Sequence, residues 1–204
     1  MQGPAVHIRA EDAAQILMEG AQELFDADHL IQLAPSWKPG NGQWKNGGAR
    51  SLLLNGTGGL LNHLETVYGP RGGQGLALRI GRAAFRCGMK RLGDISGFGS
   101  TEFRLLPAPR RMERGLHALA SALSELTGDE ITVRAEKNGW LWRMIPRVPK
   151  TGPHLESSCC LIVGLLQGFM SWAGGGRFYT VRETECRANG GPACVFFIDS
   201  RPVD

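Results

Sequence analysis

The chain has 204 residues, of which 42% are hydrophobic and 21% charged, an ordinary globular composition that excludes wholesale disorder and suits one domain, or one domain with an N-terminal extension. Its longest apolar run, 159–166, is far shorter than the roughly 20 residues of a membrane-spanning helix, and residues 1–19 hold no basic stretch leading into an apolar one, so no signal peptide is read and a cytoplasmic location is expected. The net charge of +4 is uneven: residues 71–114 hold ten Arg/Lys against three acids, which excludes an evenly basic nucleic-acid binder and points to one basic region.

Residues 1–9 read as a lead-in. Ala14, Leu17, Met18, Ala21, Leu24 and Phe25 recur at helical spacing, so 10–25 is expected as an amphipathic helix. Segments 29–33 and 50–54 are strand candidates. Between them, 35–48 is rich in Gly, Pro, Asn and Lys and reads as a long loop or hairpin tip. Its Trp37 and Trp44 are read either as partner contacts or as rings tucked under the loop. Residues 1–56 are thus expected as an extension with a helix and a hairpin and a candidate dimerisation role, ahead of a domain at 57–204.

Leu60, Leu61, Leu64 and Val67 predict a helix over 57–68, stopped by Gly69-Pro70. A second helix is expected over 75–91, with Leu76, Ile80, Ala83, Ala84 and Cys87 on its apolar side. Arg79, Arg82, Arg86 and Lys90 form a stripe on another side, read as a solvated face or as an anion contact. A glycine-rich turn over 94–100 precedes a third helix at 110–126. There the hydrophobic period changes from 3.6 to 2. Residues 130–136 alternate, Lys137-Asn138-Gly139 marks a hairpin turn, and 140–145 is the return strand. After a linker at 146–153, residues 156–173 form a nearly all-apolar helix that should be buried. Gly174-Gly175-Gly176 stops it, and strands at 177–183 and 194–198 flank a Gly/Pro loop at 186–193. The expected fold class is α+β: an antiparallel sheet of two β-hairpins flanked by helices.

Five cysteines without a secretory signal argue against a disulfide framework. Four of them, Cys159, Cys160, Cys186 and Cys194, fall in the last 46 residues beside Glu183. Thiolate and carboxylate both ligate Zn²⁺, and a hairpin brings the ends of paired strands close. Adjacent helical residues point about 100° apart, so one thiol of the Cys159-Cys160 pair is expected to face the hairpin. The competing readings are reduced packing cysteines and a Cys186–Cys194 disulfide. Cys87 is read as a packing cysteine.

The run from Glu183-Thr-Glu-Cys186 through Gly190-Gly-Pro-Ala-Cys194-Val-Phe-Phe resembles the C-terminal signature of the 4-vinyl reductase, or hydrocarbon-binding, domain family. Gly69-Pro70-Arg71-Gly72 leading into Leu78-Arg-Ile-Gly81-Arg82 is similar to that family's glycine-punctuated helical region. The resemblance spans 57–200 and is strongest over 155–199. It implies a fold like trafficking-complex (TRAPP) subunits and haem-NO-binding domains. It also implies a structural zinc held by Cys160, Glu183, Cys186 and Cys194, and a homodimer. No G-x-x-x-x-G-K-[ST] motif or helix-turn-helix is present, so no direct nucleic-acid contact is expected.

An apolar ligand would need an aromatic-lined cavity. The candidates are Phe85, Trp140, Trp142, Phe169, Met170 and Val181, with His117 as a hydrogen-bonding group. The function expected is a non-enzymatic sensor or carrier domain for a small hydrophobic or aromatic molecule. The alternatives are an accessory protein or reductase of tetrapyrrole biosynthesis, in which the arginine stripe would meet propionates, and a protein-interaction module using Trp37 and Trp44.

Overall fold

The computed structural model describes residues 8–26, 28–30, 57–93, 97–145 and 155–203. Trp37, Trp44, the strand candidate at 50–54 and the linker at 146–153 lie outside the described residues. Helix α1 (Ala10–Gln22) buries Ala14, Leu17, Met18 and Ala21, the stripe its spacing predicts. Residues 28–30 are helical, which corrects the strand expected to start at 29. The Asp26 side chain accepts from the His29 N–H and the Asp26 carbonyl from the Leu30 N–H, a local pairing that favours a helical turn.

Helix α2 (Thr57–Leu92) is two helical stretches joined at Gly69, whose φ of 74° and ψ of 165° no helix contains. The second stretch starts at Pro70 rather than at 75. Proline suits a first helical position, where its missing N–H leaves no bond unmade. After a turn at Gly97, a four-residue helix α3 (Thr101–Arg104) is capped by Ser100, whose hydroxyl accepts from the Phe103 N–H at 3.2 Å. Helix α4 (Ala108–Thr127) ends at Gly128, which adopts the left-handed conformation at φ 77°.

Strands β1 (Glu130–Glu136) and β2 (Gly139–Ile145) form the first hairpin. Helix α5 (Leu155–Ala173) leads to strand β3 (Tyr179–Glu185), a 3-10 turn at Arg187–Asn189, and strand β4 (Cys194–Pro202). The sheet order is β1-β2-β4-β3, antiparallel throughout. The α+β class and the two hairpins are as the sequence predicts.

The apolar helix α5 lies at the centre. It crosses α2 where Gly81 faces Leu161 and Leu165 and Gly164 faces Leu78; a Cβ at either glycine would strike the other helix's backbone. One core unites α4, α5 and the sheet through Leu116, Phe169, Met170, Trp142, Phe196 and Ile198. A second joins α1 to α2, with Leu17 and Met18 against Leu60, Leu64, Ile80 and Ala84. Among the described residues no helix is long and apolar enough to cross a membrane.

Candidate metal centre

The β3–β4 hairpin supplies most of the site. A bulge between Glu183 and Glu185 interrupts the register just before Cys186, and Cys194 opens the return strand opposite Met144 of β2. The connecting loop is wound around Cys186. Its carbonyl accepts from the Asn189 N–H at 3.2 Å and from the Gly191 N–H at 3.1 Å, and Gly190 makes the turn at φ 83°.

Helix α5 adds a third thiol. Ligand atoms of Cys159, Glu183, Cys186 and Cys194 all lie within 4.8 Å of one another. The Cys159 sulfur is 3.5 Å from that of Cys194 and 3.9 Å from that of Cys186. A tetrahedral zinc with Zn–S bonds of about 2.3 Å has S···S edges of about 3.8 Å, so the spacing fits a shared cation. It does not fit a disulfide, and all five cysteines are free thiols. Glu183 contributes a buried Oε1 that has no hydrogen-bond partner. A buried carboxylate oxygen left this way is costly unless a cation meets it.

The helix thiol brought to this group is Cys159, not Cys160. The two differ by about 100° around the helix axis. Cys159 faces the hairpin, and Cys160 turns to pack beside Leu161 against the α1–α2 core. The expectation for Cys160 is corrected accordingly.

The thiols are electrostatically unequal. A hydrogen bond from Cys159, opposed by burial, draws Cys194 down to about 6. That same bond, then burial and Glu183, push Cys159 up. Burial, then Glu183, push Cys186 up to about 11. The group therefore holds one thiolate readily, and a dication would favour ionising the rest.

The predicted pocket residues Phe85, Trp140, Trp142, Phe169, Met170 and Val181 share one buried cluster between the helices and the sheet. One cross-strand row runs Val133, Trp142, Phe196, Glu183, so the cluster abuts the cysteine–glutamate group. Trp142 is fully buried, and its indole Nε1 has no hydrogen-bond partner. His117 is elsewhere. It is exposed on α4, because Met112, Leu116, Leu119 and Ala120 take the inward face. It lines an open groove of about 730 Å³ with Ser121, Ser124, Glu125 and Thr132.

Phe98, Phe103 and Trp172 were not among the predicted residues, yet their rings meet one another at centroid distances of 5.2–6.0 Å, Phe98 and Trp172 reach Phe169 at 6.1 and 6.3 Å, and Trp172 reaches Phe85 at 6.1 Å. The i, i+3 spacing of Phe169 and Trp172 is the one signal that marks any of them. Half of the Arg79, Arg82, Arg86 and Lys90 stripe is consumed within the chain, and Lys90 stays exposed. Arg82 donates to Gln167 of α5 at 2.7 and 2.9 Å, and Arg86 pairs with Glu23. Arg91, one residue beyond the stripe, pairs with Glu19. Arg79 stays exposed.

No protein-family model matches the chain, and no curated protein matches it in sequence. Solved structures do match in fold. An H-NOX protein from S. oneidensis in the Fe(II)NO ligation state is 11% identical with a TM-score of 0.61, covering 94% of this chain and 98% of that one. The SO2144 H-NOX domain from Shewanella oneidensis in the Fe(II)CO state is 13% identical with a TM-score of 0.54, covering 91% and 97%. The phenol-responsive sensory domain of the transcription activator PoxR with phenol is 19% identical with a TM-score of 0.43, covering 70% and 71%. At these identities the first two likenesses show the fold, an H-NOX-like arrangement over nearly the whole chain.

Proposed function

We propose that the protein is a non-enzymatic sensor or carrier domain for a small aromatic ligand, akin to the 4-vinyl reductase domains and stapled by a structural zinc. The observation that carries the zinc is the Cys159–Cys186–Cys194 spacing around the orphaned Glu183 oxygen. With four protein ligands the ion has no open position, so its role is structural rather than catalytic. It ties the start of α5 to the β3–β4 hairpin.

The ligand reading is supported by the aromatic cluster and by the unpartnered Trp142 Nε1 within it. An indole N–H is a donor only. A phenol-type or carbonyl oxygen would satisfy it, while the rings around it take the apolar body.

An iron porphyrin, as the ligation states of the H-NOX neighbours imply for those proteins, does not fit the described residues. It needs an axial ligand facing a large cavity. Among the described histidines, His29 stacks on Phe25 and hydrogen-bonds Tyr68, His117 faces outward, and His63 stands on α2 beside Leu61 and Leu64, which pack in the α1–α2 core rather than in the aromatic cluster. Between α2, α4 and α5 the rings of Phe85, Phe98, Phe103, Phe169 and Trp172 pack on one another. The arginines that would meet propionates are engaged at Arg82 and Arg86.

Native mass spectrometry and thermal shift against phenols, benzenes and porphyrins test the proposal. Uptake of a monocyclic aromatic, strongest for hydroxylated rings, is expected. Porphyrin binding with no response to any monocyclic ring would overturn it.

A further inference from the structure

We propose that the end of the domain opposite the cysteine–glutamate group is a docking surface for an anionic lipid bilayer. The topology sets the two ends apart. Helix α5 carries Cys159 near its start and Ala173 at its end, about 21 Å of helix at 1.5 Å per residue. Arg111 ties the far end together: its Nε donates to the Ala173 carbonyl at 2.8 Å and its Nη1 to the Arg104 carbonyl at 2.9 Å. The β1–β2 turn lies at this end too, because the Asn138 carbonyl accepts from the Ser200 N–H at 2.9 Å. So do the start of β3 and the end of β4, joined by the Val203 N–H donating to the Phe178 carbonyl at 2.8 Å.

This end exposes bulky apolar side chains. Leu105 between α3 and α4 is 78% exposed, Phe178 is 66% and Val203 is 60%. Exposed cations surround them: Arg104, Arg110 and Arg114 on the helix side, and Lys137, Arg177 and Arg201 on the sheet side. Among the described residues none of these side chains makes an ion pair. Among the described residues the acids here are fewer. Glu136 pairs with Arg134, leaving Asp199, Glu102 and Glu113.

The helix geometry adds to the imbalance. Helix α4 has no acid in its first turn, where Arg110 stands, with Arg114 one turn on, and a cation in the first turn opposes the helix dipole. An anionic surface offsets both the dipole and the unpaired guanidinium groups. Each cation near such a leaflet strengthens binding, and the apolar tips add burial at the headgroup boundary. The tips come from the α3–α4 turn and from the paired ends of β3 and β4. A fluid interface accepts such tips without shaped pockets, whereas a protein partner would need one cavity for each.

Sedimentation of the full chain with vesicles tests this. Phosphatidylcholine vesicles containing an equal share of phosphatidylglycerol should bind it, and phosphatidylcholine alone should not. Raised salt and the Arg110→Glu/Arg114→Glu variant should each weaken binding by at least about tenfold. Leu105→Ser/Phe178→Ser should weaken it severalfold while the charge is unchanged. Circular dichroism and metal content identify either variant that fails to fold, and the other then decides. Equal binding to both vesicle types, or no binding to either, overturns the proposal. So does capture by soluble polyglutamate with no vesicle binding, which would mark an acidic protein as the partner.

Discussion

Trp142 and Glu183 stand in one cross-strand row of the sheet with Phe196 between them, and each carries a buried polar atom without a hydrogen-bond partner. Two strand spacings separate them, about 10 Å. One orphan is a donor and lies within the apolar core. The other is an acceptor and faces three thiols. The proposed ligand and the proposed zinc would satisfy one each, and Phe196, fully buried, is the packing link between them.

The helix thiol is the sharpest point of the metal assignment. Cys159→Ala should lose the bound zinc, and its melting temperature should fall by on the order of 10 °C. Cys160→Ala, which removes only a half-buried sulfur beside Leu161, should keep the metal and lose a degree or two. Metal analysis and calorimetry of the two variants check this. Loss of zinc from Cys160→Ala alone would restore Cys160 as the ligand.

Trp142→Phe removes the unpartnered N–H while keeping a ring in the core. Deleting an unsatisfied buried donor can be neutral or favourable to stability, because its desolvation costs about 1–3 kcal/mol. The melting temperature should therefore hold to within a few degrees. Affinity for a hydroxylated aromatic should fall about tenfold, the loss of roughly one hydrogen bond, and affinity for the matching hydrocarbon should not. Isothermal titration with the two ligands separates the cases. An equal effect on both would remove the N–H from ligand recognition.

Gly81→Ala tests the helix crossing. The new Cβ meets the Leu161 carbonyl and comes 2.8 Å from the Leu165 nitrogen, both backbone atoms of α5. The helices must separate, at a cost of about 1–3 kcal/mol. Denaturant midpoints should report it. Gly75→Ala, with nothing within 4 Å of its Cβ, should be harmless.

Glu19 and Arg91 give the docking of α1 a pH dependence. Hydrogen bonds from Arg91 hold the Glu19 carboxyl below its usual value of 4.5, against a smaller opposing effect of burial. A depressed folded-state value contributes stability that is present above the unfolded value and is lost as the pH falls through the folded one. Both side chains are partly exposed, at 27% and 44%, so the contribution is about 0.5–1 kcal/mol at most. Melting temperatures measured from neutral pH to below 4.5 should fall more for the wild type than for Glu19→Gln. Parallel curves would mean that the pair adds nothing.

Much of the fold is legible in the sequence because its patterns are local. The switch from Leu116-Leu119-Ala120 spacing to Ile131-Val133-Ala135 alternation marks α4 and β1 at nearly their true limits, and Lys137-Asn138 marks the turn. The cysteine–glutamate group is legible through Glu183, Cys186 and Cys194, which sit on one hairpin. Choosing between Cys159 and Cys160 is not a local matter. It depends on how α5 rotates as it packs on α2, which the Gly81 and Gly164 contacts fix. Phe98 and Phe103 escaped for a related reason. They lie in a turn and a four-residue helix too short to show a period. His117 misled because its apolar neighbours in sequence lie on the other face of α4.

The most direct test of the central claim is zinc K-edge absorption with metal analysis on the purified, reduced protein. About one zinc per chain, with three sulfur neighbours near 2.3 Å and one oxygen near 2.1 Å, is the predicted result. A folded, metal-free protein that does not take up added zinc, and whose melting temperature is the same with and without a chelator, would contradict it.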